Sequence, residues 1–115
     1  MTVNSAIEND VGVVVVRGEV DLATVSPLRD AIAEHLASGC THLLLDLTGV
    51  TFIDSTGLGV LVGTSKKARG LGGSLRVVCQ NPRILRLLAI TGLTKTLAVH
   101  EDQDTARADW PLTPA

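Results

Sequence analysis

Aromatic residues are nearly absent from this chain of 115 residues, which holds one Phe, one Trp and no Tyr. Base-stacking platforms for single-stranded nucleic acid therefore lack their raw material. The basic residues are scattered and the formal net charge is -2, so there is no electrostatic footprint for a polyanion. Nucleic acid is excluded as an expected partner.

Long apolar runs are missing too. The longest, Val13 to Val16 and Leu43 to Leu45, fall far short of the roughly 20 residues that cross a bilayer. The start, Met1-Thr2-Val3-Asn4-Ser5, has no basic region followed by an apolar one. No membrane association and a cytoplasmic location are expected. Cysteine is scarce, and Cys40 and Cys79 belong to no Cys-x-x-Cys pair, which leaves no metal or redox motif and no implied cofactor. Both read as small core residues.

What remains is aliphatic. Hydrophobic residues make up 45% of the chain and charged ones 19%, enough to bury a core built from Val, Leu, Ile and Ala. Val3, Ser5 and Ile7 alternate with polar neighbours, Asn9-Asp10 supplies a turn, and Val11 to Arg17 reads as a strand buried on both faces. Ser26-Pro27 offers a capping side chain and a first-turn proline for a helix that runs to Ser38 and stops at Gly39. His42 to Leu47 predicts a second central strand, parallel to the first because a helix crosses between them.

A helical face extends from about Ser55 to Arg69, and Leu75, Val77 and Cys79 mark a third inner strand. Asn81-Pro82 opens a short helix that ends near Thr91-Gly92, and Leu97 and Val99 can add a last strand. Asp102 or Asp104 could cap a further short helix, with Trp110 folding back as an anchor and Pro111 to Ala115 as a loose tail. The expectation is an α/β layer fold in a single domain spanning 1–115. Its core covers about 3–100, and a mixed, mostly parallel sheet of four to five strands is packed by about four helices.

One stretch is not ordinary structure. Asp46-Leu47-Thr48-Gly49-Val50 leaves a central strand, a short loop follows, and Asp54-Ser55-Thr56-Gly57-Leu58-Gly59 enters a helix, the place where open α/β sheets carry their sites. Asp54 or Ser55 can cap that helix. Gly57, Gly59 and Gly63 in its first turns each cost about 1 kcal/mol relative to Ala, so something else favours them. Close approach of a partner or a phosphate is one explanation, and tight packing on the chain's own sheet is the other.

Enzymatic readings find little support. Ser55 with His35, His42 and His100 lacks the Gly-x-Ser-x-Gly elbow of a serine hydrolase, and Gly57-x-Gly59-x-x-x-Gly63 fits no nucleotide-binding spacing.

The Asp54 to Gly59 segment with its preceding strand end resembles the signature of STAS domains of the anti-sigma factor antagonist type. Gly18-Glu19-Val20-Asp21 with Ser26-Pro27-Leu28-Arg29, and Asn81-Pro82-Arg83 through Thr91-Gly92-Leu93, resemble the family's first loop and helix and its third helix. The resemblance implies no enzymatic activity but phosphorylation at Ser55, with Asp21, Asp54, Ser55, Thr56, Gly57, Leu58 and Gly59 on a partner-binding face. The partners it implies are an anti-sigma factor that is itself an ATP-dependent serine kinase, and a PP2C-type phosphatase that reverses the mark. Asp21 reads equally as a turn carboxylate, and Thr56 as a first-turn helix residue. A STAS binding or scaffold module of a transport or signalling complex, free of any sigma-factor kinase, is the alternative.

Overall fold

The computed structural model describes residues 1–108 and 110. Five strands form one sheet in the order β1-β2-β3-β4-β5: Thr2–Glu8, Val11–Val20, His42–Ile53, Ser74–Val78 and Ala98–His100. The hairpin from β1 to β2 turns through Asn9 and Asp10, both at positive φ (51° and 65°), a conformation these two residue types tolerate best among those with side chains. β1 is antiparallel to β2, and every later pairing is parallel.

Because the parallel strands follow one another in sequence order, right-handed crossovers put their helices on one face. These are α1 (Ser26–Ala37), α2 (Ser55–Gly70) and α3 (Pro82–Ile90). Leu28, Ile32, Leu61, Ile84 and Leu88 from the helices meet Val14, Val16, Leu43, Leu45 and Val77 of the sheet in the main core. The opposite face carries a smaller cluster, in which Ala106 of α4 (Gln103–Arg107) and Trp110 cover Val11, Val13, Leu44 and Val78. Cover on both faces explains why Val11 to Val14 form an unbroken buried run. Trp110 folds back as expected: its indole N–H donates to Ser74 Oγ at 2.8 Å, and the Arg76 guanidinium lies 4.8 Å over its ring. The tail expected at Pro111 to Ala115 lies outside the described residues.

Several expectations need correction. β2 does not end at Arg17 but runs through Gly18 and Glu19 to Val20, and β4 ends at Val78, one residue before Cys79. β3 does not end at Leu47. It continues to Ile53, pairing with the far end of β2 across two register shifts, because Val50 and Ile53 still have core to bury. The stretch from Thr48 to Ile53 is therefore strand, and only Asp54 separates β3 from α2. Ser26 does not cap α1 either, since the chain is already helical at Val25 and no side chain caps it. The Asp21 carboxylate instead closes the preceding turn, accepting from the Ala23 and Thr24 amides at 3.0 Å each. The final strand starts at Ala98 rather than Leu97, whose side chain is buried just ahead of it. Cys79 is buried as expected, but Cys40 is only half-buried, where the end of α1 meets the β1–β2 turn. Burial, with the nearby Asp10 charge adding to it, pushes its thiol above the ordinary value.

Candidate functional site

Asp54 stands in extended conformation at the N-cap of α2 and ties three elements together. Its amide donates to the Val20 carbonyl at the end of β2 (3.1 Å). One carboxylate oxygen accepts from the Gly57 amide at 3.0 Å, the cap expected of this residue type. The other accepts from the Leu22 amide at 3.3 Å, in the loop between β2 and α1. Asp54 thereby fixes the start of α2 and leaves the next residue, Ser55, exposed at its first helical position.

The glycines divide between the two explanations left open. A Cβ at Gly57 would sit 2.5 Å from Ile53 Cγ1 and 3.0 Å from Val20 Cγ1, so this glycine lets α2 press onto its own sheet. At Gly59 and Gly63 an added Cβ would meet nothing within 4 Å. Both line a groove of about 650 Å³ between α1 and α2, whose rim also includes Leu22, Ser55, Thr56 and Lys67. Leu58 is partly buried against the core, which makes it a packing residue of this segment.

Of the seven residues singled out from the sequence, the structure gathers Asp54, Ser55, Thr56, Gly57, Leu58 and Gly59 in the first turns of α2 and its cap. Asp21 lies in the neighbouring loop, and its carboxylate is taken up by the amides of Ala23 and Thr24 and by the Thr24 hydroxyl at 3.1 Å. Two residues escaped the sequence reading: Leu22 and Phe52 are large apolar side chains 76% and 49% exposed beside this junction. An aliphatic residue inside the polar turn Asp21-Leu22-Ala23-Thr24 was the available signal for the first.

Nothing in the site resembles a nucleophile with its base. His35 is buried on α1 and hydrogen-bonds Ser5, while His42 reaches Ser74 Oγ at 3.3 Å, so both rings are engaged away from Ser55. A hidden carboxylate elsewhere also finds its explanation. Asp46 is buried on the face under α4, which would raise its pKa. Hydrogen bonds from the Thr48 hydroxyl (2.6 Å), Gln103 (2.6 Å) and the Thr48 amide (2.9 Å), with the Arg17 charge, outweigh that and hold it below the usual carboxylate range. It anchors α4 to the sheet.

The family model of the STAS domain matches residues 2–106. This chain belongs to the STAS domain family. Among its relatives, the anti-sigma F factor antagonist of Paenibacillus polymyxa is 34% identical over 109 residues, covering 92% of this chain and 93% of the relative. The anti-sigma-B factor antagonist of Bacillus subtilis (strain 168) is 42% identical over 86 residues, covering 75% and 77%. The crystal structure of an anti-sigma factor antagonist from Mycobacterium paratuberculosis superposes with a TM-score of 0.85 at 34% identity, covering 93% of this chain and 91% of that one. Those names describe antagonists of anti-sigma factors. No helix among the described residues is long and apolar enough to cross a membrane.

Proposed function

We propose that this chain is an anti-sigma factor antagonist, working in the cytoplasm, whose unmodified form binds an anti-sigma factor and so frees a sigma factor. The anti-sigma factor is an ATP-dependent serine kinase, and its phosphorylation of Ser55 ends the binding. The observation that carries this reading is the exposed Ser55 hydroxyl, placed directly after the capping Asp54 on the rim of a groove lined by two side-chain-free positions.

In the modifying step the Ser55 hydroxyl attacks the γ-phosphorus of ATP. The new O–P bond forms as the bond to the leaving ADP breaks, and the hydroxyl proton passes to a base on the kinase or to water. A PP2C-type phosphatase hydrolyses the ester and restores the serine. The product brings about -1.5 to -2 charges to a face where Ser55 had been small and neutral. Any partner carboxylate within about 5 Å of the new charge costs about 3 kcal/mol at an effective dielectric near 20, before salt reduces it. A tenfold loss of affinity needs only about 1.4 kcal/mol. The start of a helix tolerates negative charge, so the fold itself is undisturbed.

Each anti-sigma factor encoded in the source genome, purified separately, serves as a probe by titration calorimetry. Ser55→Ala is expected to bind one of them like the unmodified chain, and Ser55→Asp about a hundredfold more weakly. Equal affinity for the two variants would remove the proposed switch.

A further inference from the structure

Leu22 is the most exposed large apolar side chain among the described residues, at 76%, and it lines the same groove as Ser55, Thr56 and Gly59. Its position is not free. The Leu22 amide is held by one oxygen of Asp54, whose other oxygen caps α2 at Gly57. The two bonds differ in strength: the one to Gly57 is 3.0 Å and part-buried, and the one to Leu22 is 3.3 Å and exposed to water. The bond to Leu22, longer and open to water, is the more easily given up.

We infer that Asp54 couples phosphorylation of Ser55 to the placement of Leu22, an apolar anchor for the same anti-sigma factor. The inference rests on the function proposed above and adds a second way for the phosphate to act. A phosphate on Ser55 lies one residue from the Asp54 carboxylate and repels it. The carboxylate keeps its bond to Gly57 and gives up Leu22. The rest of the loop stays in place, because the Asp21 carboxylate independently holds the Ala23 and Thr24 amides and the Thr24 side chain. The change is therefore confined to Leu22, which leaves its position on the groove rim. Asp54 acts here as a positioning residue, and Leu22 as the group that meets the partner.

The test uses the full chain with phosphoserine inserted at position 55 during synthesis. Asp54→Asn isolates the coupling, since its single oxygen still caps Gly57 and its amide nitrogen cannot accept from Leu22. In heteronuclear NMR spectra the Leu22 amide resonance of the phosphorylated chain is expected to move to where Asp54→Asn puts it, with the Ala23 and Thr24 resonances nearly unmoved. Leu22→Ala, an exposed substitution that does not endanger folding, is expected to bind the anti-sigma factor about tenfold more weakly. Phosphorylation is then expected to weaken Leu22→Ala about tenfold less than it weakens the wild type, because the anchor is already gone. An unmoved Leu22 resonance, or two losses that simply multiply, overturns the coupling. If the unmodified chain binds no anti-sigma factor, the proposed function fails instead, and the NMR comparison still decides whether Asp54 and Leu22 are linked.

Discussion

Replacing Gly59 and Gly63 by alanine separates what this helix needs for folding from what it needs for binding. Neither glycine has a positive φ, and a Cβ at either position meets nothing within 4 Å, so the folded state accepts the methyl groups without strain. A glycine inside a helix is worse than alanine by about 0.5–1 kcal/mol, through the backbone entropy lost on folding. The double variant Gly59→Ala/Gly63→Ala should therefore gain about 1.5 kcal/mol, or about 6 °C in Tm for a chain of this size. The opposite sign holds at Gly57. There the methyl group would sit 2.5 Å from Ile53 Cγ1, and the overpacking costs about 1–3 kcal/mol, more than the propensity gain.

If the open glycines serve partner approach, the stabilised variant must also bind its anti-sigma factor more weakly, because two methyl groups now stand in the groove. Urea unfolding gives the stability and calorimetry the affinity. A double variant that is more stable and binds undiminished would refute the claim that these positions are kept bare for a partner. A destabilised one would refute the packing argument.

Two further perturbations address the face under α4. The Asp46 pKa is lowered in the fold, so its contribution is full above the ordinary carboxylate value near 4 and is lost as pH falls through the lower folded value. Asp46→Asn should cost about 1–2 kcal/mol at pH 7 and flatten the acid side of the stability profile, which urea melts between pH 2 and 7 would follow. Trp110→Ala uncovers Val11, Val13, Leu44 and Val78 and should cost about 3 kcal/mol in the same melts, with no effect on binding at the proposed site on the opposite face.

Much of this was legible in the sequence because the signals are local. Asn81 caps α3 and Asp102 caps α4 through their side chains, as their residue types and positions suggested, and period-two alternation located β1 and β4. The second half of β3 was not legible. Thr48, Gly49 and Thr51 have turn-like composition, and only the bulged pairing with the end of β2 makes them strand. The cap of the turn before α1 passed from Ser26 to Asp21 for a comparable reason, since the backbone enters helical conformation one residue earlier than the proline signal implies. At the site, the Asp54-Ser55 step was readable from its neighbours in sequence. The hydrogen bond from Leu22 to Asp54 spans 32 positions and exists only once β2 and β3 lie side by side. Likewise the three glycines look alike in a sequence, and the space around each one separates Gly57 from Gly59 and Gly63.

The central claim is that one hydroxyl, at the first turn of α2, decides whether this chain holds its partner. Incubating the purified chain with its anti-sigma factor and ATP, then mapping phosphate by peptide mass spectrometry while following the complex by size exclusion, tests it directly. A single phosphate on Ser55, appearing in step with dissolution of the complex, is the predicted result. Phosphate on another residue, or a complex that survives full modification of Ser55, would contradict the account.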